Sequence, residues 1–214
     1  DPRNTDSLIG QNMVDADGTV LEEVINEASL SEMDDDTLYR QLNYLWRNYC
    51  ISNTYEPGST IKPFTAAAGL ESGALSGNET YECTGSLTVV AGEKPIKCHN
   101  VYGDGVLTIS QAIERSCNVA LMKMGQTIGE TTLLKYLEDF NFGLKTNIDL
   151  AGEARTASLV FTEDTMGPTE LATTTFGQGF NVTMIQMITG FCALINGGYY
   201  YEPHMVSQIT SSDG

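Results

Sequence analysis

The chain is short of positive charge. Across 214 residues it carries 11 Lys and Arg against 28 Asp and Glu, a formal net charge of −17. Nucleic-acid binding is driven by cations that neutralise phosphates, so a nucleic-acid partner is excluded on charge. An anionic membrane surface is excluded for the same reason. Long apolar runs are lacking too. The best stretch, Met184 to Ile195, is interrupted by Gln186, Thr189 and Gly190, well short of the ~18 apolar residues of a membrane span. The start, Asp1-Pro2-Arg3-Asn4, has no basic segment, no apolar segment and no initiator Met. It reads as the beginning of a piece cut from a longer parent, with any anchor carried elsewhere. No C-x-x-C pair occurs among Cys50, Cys83, Cys98, Cys117 and Cys192. Cys83, Cys98 and His99 lack a fourth zinc ligand unless distant His204 joins them, so no metal and no cofactor are expected.

What is present is a core-forming chain, 41% hydrophobic, with helical punctuation. Residues 1–37 read as acidic and irregular, with a turn at Asp15-Ala16-Asp17-Gly18 and a solvated run at Asp34-Asp35-Asp36; a short helix follows near 37–49. After the turn Tyr55-Glu56-Pro57-Gly58, the pattern is helical from Ser59 to Gly73. Pro63 fits only in a first turn, which places Ser59 at the amino end of that helix. Residues 76–106 read as loop and hairpin. Cys83 and Cys98 flank the Gly85–Gly92 stretch there, and two readings stay open: a disulfide in an oxidising compartment, or two half-buried thiols. Thr108-Ile109-Ser110-Gln111 and Thr183-Met184-Ile185-Gln186 are capping boxes that open helices. Between them, helices are expected from about Asn118 and over Glu130–Phe140, with residues 144–179 irregular. The tail from Tyr199 to Thr210 reads as strand or hairpin.

Chemistry is suggested first by Ser59-Thr60-Ile61-Lys62. A spacing of three puts both side chains on one helix face, and the unpaired N–H groups of a helix start suit a developing oxyanion. A lysine that is to take the serine proton must be buried or sit near a cation, to bring its pKa down from ~10.4. The polar partner is Ser116-Cys117-Asn118, between two helices. A second S-x-N string, Ser76-Gly77-Asn78, lies in a loop and reads as a turn. Neither spacing is specific by itself.

The longer strings are specific. Tyr55-Glu56-Pro57-Gly58-Ser59-Thr60-Ile61-Lys62-Pro63-Phe64-Thr65, Ser116-Cys117-Asn118-Val119 and Phe176-Gly177-Gln178-Gly179, followed by Thr183 and Gln186, together resemble the transpeptidase domain of class B penicillin-binding proteins, in order from about Leu42 to Val206. The resemblance implies that Ser59 is the nucleophile and Lys62 its base. It also implies that Ser116 relays a proton to the leaving amine and that Asn118 holds the substrate amide. Gln178 and Gly179 would belong to a supporting loop. The implied activity is a peptidoglycan D,D-transpeptidase acting on stem peptides ending in D-Ala-D-Ala, acylated by β-lactams at the same serine and working at the extracytoplasmic face of the bacterial plasma membrane. A serine β-lactamase, a non-turnover β-lactam sensor and a non-catalytic cell-wall scaffold are the alternatives; deacylation rate and cross-linking separate them.

One family motif is missing. K-[ST]-G should follow the F-G-Q-G string, but the only Lys-Thr, Lys145-Thr146-Asn147, precedes it and lacks the glycine. The expected fold class is therefore α+β: residues 1–214 form a mainly helical part of the penicillin-binding fold, with the first strands, the K-[ST]-G strands and most of the central antiparallel sheet absent. That part is expected to be inactive alone and to expose an apolar, sheet-facing surface prone to self-association. The Ser59 hydroxyl is expected within hydrogen-bond reach of the Lys62 amine, with the Ser59 helix packed among the helices near 108–141 and 183–196.

Overall fold

The computed structural model describes residues 4–211, which divide into two compact units, one ending at Tyr49 and the other starting at Cys50. In the first, β1 (Asn12–Val14) and β2 (Val20–Val24) form an antiparallel pair, followed by α1 (Glu27–Glu32) and α2 (Asp35–Trp46). The stretch expected to be irregular is thus a hairpin and a helix. The Asp15 carboxylate accepts from the N–H groups of Asp17 and Thr19 and closes the hairpin turn, a local device that stabilises a pair of strands with little alternation. Asp34, expected to be merely solvated, caps α2 by accepting from the Thr37 N–H. Leu8, Ile25 and Leu42 make the small core. Inside it the buried Gln41 amide accepts from Val14 N and donates to Val14 O.

α3 (Tyr49–Ser52) runs across the boundary in the chain, and β3 (Thr54–Tyr55) follows in the second unit. A 3₁₀ turn over Gly58–Ile61 then feeds α4 (Lys62–Glu71), so Ser59 stands one tight turn ahead of the α-helix proper while Pro63 sits in its first turn. An excursion follows: β4 (Thr80–Cys83), the short pair β5 (Ser86–Leu87) and β6 (Ile96–Lys97), and β7 (Gly105–Thr108), with β4 paired to β7. Helices α5 (Ile109–Glu114), α6 (Asn118–Ile128) and α7 (Glu130–Asp139) come next. Then comes α8 (Pro168–Thr174), in a region expected to be irregular. Pro168 at its start and Glu170 reaching back to the Gly167 N–H were its local signals. β8 (Val182–Thr183) pairs with β3, and α9 (Met184–Ile195) closes the order. Both capping boxes form as expected. The tail after Tyr199 is not a strand; Met205 and Val206 instead give their N–H groups to the Asp149 carboxylate.

Among the described residues there are four two-stranded antiparallel sheets and no larger one. The architecture is α+β and mainly helical. α6 is buried nearly all round, from Val119 through Met122, Met124 and Gly125, the pattern of a central core helix. It packs on α4, α7 and α8. The Phe64 ring makes edge-to-face contacts with Phe140, Phe142 and Phe191, at centroid distances of 4.8–5.2 Å. That packing anchors α4 two residues beyond Lys62. On α9, Met184, Ile188 and Ile195 are exposed and fall on one stripe of the helix, an apolar face without a sheet over it. No described helix is long and apolar enough to cross a membrane.

Candidate active site

The four expected residues come together. Ser59 is exposed, Ser116 and Asn118 are half-buried, and Lys62 is buried at 2% exposure. Lys62 Nζ donates to Ser116 O at 2.6 Å, to Ser116 Oγ at 2.8 Å and to Asn118 Oδ1 at 2.8 Å. Ser116 Oγ in turn donates to Ser59 Oγ at 2.9 Å. The expected direct Ser59–Lys62 bond is replaced by a bridge. The ammonium has three donors, and the S-x-N string uses all three.

Local structure explains why each side chain points where it does. The chain turns sharply at Ser116, a non-glycine residue at φ +52°, so that it can leave α5 and enter α6 at once. Such a conformation costs free energy and is retained where the surroundings over-determine it. Here Lys62 grips both the carbonyl and the hydroxyl of that residue. Cys117 is the N-cap of α6, its sulfur accepting from the Ala120 N–H at 3.4 Å. Because Asn118 Oδ1 faces Lys62, its Nδ2 is turned the other way, where it makes only a long 3.5 Å bond to Lys97 O.

The F-G-Q-G string holds the turn that carries Ser59 through backbone. Gly58 N donates to Gly177 O at 2.9 Å, and Gly179 N to the Glu56 carboxylate at 2.8 Å. Thr65 Oγ1 donates to Thr175 O at 3.0 Å. Gly177 sits at φ +86°, and a Cβ there would lie 2.0 Å from Gly58 O. Only glycine lets the two strands of backbone approach this closely.

Burial lowers the pKa of Lys62 to about 8, although the Cys98 and Cys117 sulfurs facing it act to raise it. Burial pushes the Cys117 thiol up to about 12. These cysteines are what sequence reasoning missed. Cys83 and Cys98 are separate, fully buried thiols. The sulfur beside Cys98 is that of Cys117, at 3.9 Å. With Asp104 they place four ligand-type atoms within 4.8 Å of one another. Their sequence spacing gave no signal of it. His99 and His204, considered at the sequence level, are not in that cluster.

The remaining candidates lie elsewhere. Ser76-Gly77-Asn78 is a turn around Glu79. Thr146 of the Lys-Thr string is tied to the Glu153 carboxylate through both its N–H and its hydroxyl. A cavity of about 510 Å³ lined by Leu134, Phe142, Val160, Phe161 and Met166 includes none of the four site residues.

Comparison with known proteins shows the family. The family model of the penicillin binding protein transpeptidase domain matches residues 18–213. Stage V sporulation protein D of Bacillus subtilis (strain 168) is 38% identical over 162 residues, 76% of this chain and 25% of that protein. Peptidoglycan D,D-transpeptidase MrdA of Escherichia coli (strain K12) is 28% identical over 199 residues, 86% of this chain and 30% of that protein. The chain thus spans about a quarter to a third of these relatives. Among solved structures, Pseudomonas aeruginosa PBP2 in complex with WCK 5153 matches with TM-score 0.72 at 25% identity, over 89% of this chain and 46% of that one. Penicillin binding protein 3 from Mycobacterium tuberculosis, complexed with aztreonam, matches with TM-score 0.70 at 28% identity, over 78% and 36% respectively.

Proposed function

Because this chain belongs to the transpeptidase domain of class B penicillin-binding proteins, we propose that its parent is a peptidoglycan D,D-transpeptidase with Ser59 as nucleophile. The observation that carries the reading is the hydrogen-bonded line from exposed Ser59 through Ser116 to buried Lys62. Hydroxyl hydrogens rotate, so this line runs in either direction. With Lys62 charged it donates outward to Ser59. With Lys62 neutral, the Ser59 proton passes to Ser116 while the Ser116 proton passes to Nζ. At a pKa of about 8, roughly a tenth of the lysine is neutral at pH 7, against about 0.03% for an ordinary one.

Acylation then balances as follows. Ser59 Oγ bonds to the carbonyl carbon of the penultimate D-Ala while its proton moves by way of Ser116 to Lys62. Collapse of the tetrahedral oxyanion breaks the C–N bond, and the departing D-Ala nitrogen takes the proton back along the same line. A neighbouring stem amine attacks the acyl-enzyme, gives its proton to Lys62, and Ser59 Oγ leaves protonated. The outward Asn118 Nδ2 donates to the substrate amide carbonyl. β-Lactams acylate Ser59 by the same first step, the broken C–N bond being that of their ring. Stem peptides and β-lactams are therefore the partners. The setting is the extracytoplasmic face of the membrane, where that substrate lies, with attachment through a parent anchor.

The test is covalent labelling of the full-length protein by a fluorescent penicillin, with cross-linking of pentapeptide-bearing peptidoglycan strands as a second readout. Ser59→Ala should abolish labelling, and Lys62→Ala should slow it by about 10²–10⁴. Absence of labelling in the wild-type protein would establish the scaffold reading; labelling without cross-linking, the sensor; rapid release of the label, a lactamase. The 214-residue chain alone should label more slowly by about 10²–10³, the value of one oxyanion donor, because it contains no K-[ST]-G string.

A further inference from the structure

We propose that Cys83, Cys98, Asp104 and Cys117 form a binding site for one soft divalent metal ion, Zn²⁺ by its chemistry, which clips the β4–β7 excursion to the head of α6. One ligand-type atom from each residue lies within 4.8 Å of all the others. Tetrahedral coordination with Zn–S bonds of ~2.3 Å requires sulfurs about 3.8 Å apart, and Cys98 Sγ and Cys117 Sγ stand at 3.9 Å. The other ligand atoms need to close by no more than about 1 Å to complete the same tetrahedron. All three cysteines are buried, at 0–3% exposure.

Asp104 supplies an independent observation. Its Oδ2 is buried and has no hydrogen-bond partner among the described residues, a costly state for a carboxylate oxygen. Its Oδ1 accepts from Asn100 Nδ2 at 2.8 Å, the kind of outer contact that orients a metal ligand. Three sulfurs and one carboxylate in a closed, buried set select a soft tetrahedral ion over Mg²⁺ or Ca²⁺, which take oxygen ligands. On binding, the metal displaces the thiol protons, which pass to solvent.

The ligands come from the end of β4, the residue following β6, the loop before β7 and the N-cap of α6. The last is the middle residue of Ser116-Cys117-Asn118. The ion would tie these segments together directly behind the site and position the S-x-N string without touching a reacting atom. The proposal does not depend on the transpeptidase reading, since it concerns only these four side chains.

The experiment uses the full-length protein with Cys50→Ser and Cys192→Ser, which removes the two cysteines outside the cluster. Reduced, metal-stripped protein is titrated anaerobically with Co²⁺. The expected result is one equivalent bound, with thiolate-to-cobalt charge-transfer absorbance and tetrahedral d–d bands, bleached by one equivalent of Zn²⁺. Cys98→Ser should diminish the charge-transfer absorbance. Asp104→Asn, near-isosteric and suited to keeping the fold, should weaken Co²⁺ binding by about tenfold or more. No thiolate–cobalt absorbance in the parent protein would overturn the proposal, as would a spectrum and affinity left unchanged by Asp104→Asn.

Discussion

The chain contains the string S-x-N twice, with opposite fates. In Ser76-Gly77-Asn78 the hydrogen bonds are local: the Glu79 carboxylate, three residues on, accepts from Ser76 N, Ser76 Oγ and Gly77 N at 2.7–3.0 Å. In Ser116-Cys117-Asn118 the partners are Lys62 and Ser59, more than fifty residues back. A short polar string becomes a turn when a neighbouring carboxylate satisfies it first. It becomes a site when its own neighbours are occupied otherwise. Here α5 ends at Glu114, Cys117 is committed to capping α6, and Ser116 at φ +52° aims its hydroxyl away from its own chain segment.

Removing each serine in turn should sharpen that contrast most. Ser116→Ala cuts the only hydrogen-bonded path between Lys62 and Ser59 among the described residues, and should slow penicillin acylation of the full-length protein by about 10²–10⁴, the range for a displaced proton-transfer group. Ser76→Ala should leave the acylation rate unchanged. Equal effects from the two would reject the assignment. Single-turnover labelling kinetics distinguish them.

Gly177→Ala should act on Ser59 without touching it. The new Cβ meets Gly58 O at 2.0 Å, in a backbone conformation that L side chains rarely adopt, so the F-G-Q-G loop must withdraw from the turn that carries Ser59. Misplacing a reacting group by ~1 Å is worth up to about 10²-fold. Acylation should therefore fall by at least about tenfold in protein that still melts cooperatively. An unaffected rate would show that the turn holds Ser59 without the loop.

The pH dependence follows from burial. Lys62 is held down to about 8, and it is the neutral amine that takes a proton. The acylation rate should therefore rise with pH, by about tenfold between pH 7 and a plateau above 9. Cys98 and Cys117, the sulfurs that face it, hold the value up rather than down. A profile flat from pH 6 to 9 would remove Lys62 from the role of base.

That Ser59, Lys62 and the Ser116-Cys117-Asn118 string would meet was legible because whole strings carried them, and the two capping boxes were legible because their hydrogen bonds are local. What escaped was set at long range. The Ser59–Ser116–Lys62 bridge depends on how α4 lies against the head of α6. The cysteine–aspartate cluster is assembled by the β4–β7 pairing, which brings Cys83 opposite Gly105. The F-G-Q-G string was readable as support, but its grip is backbone to backbone, Gly58 N to Gly177 O, and no side-chain pattern encodes that. α8 was missed because its seven residues, rich in Thr, have weak helix propensity; packing on α6 decides them. The β1–β2 hairpin was missed because its register rests on the Asp15 turn rather than on alternation.

The smallest expected effect belongs to the turn. Its hydrogen bonds, first that from the Ser76 N–H, depress the Glu79 pKa from 4.5 to about 2. A carboxylate with a lower pKa folded than unfolded contributes stability above its unfolded value, and that contribution is lost as pH falls through the folded one. Glu79→Gln should therefore lower the melting temperature slightly at pH 7, by an amount that stays constant down to about pH 4.5. The difference should then narrow as the pH approaches 2, where the wild-type carboxylate is itself protonated. At no pH should this variant change the rate of penicillin acylation, because every partner of Ser76 among the described residues lies within three residues of it. A difference that widened on acidification would mean that Glu79 is stabilised by something other than these hydrogen bonds, and the picture of Ser76-Gly77-Asn78 as a self-contained turn would fail.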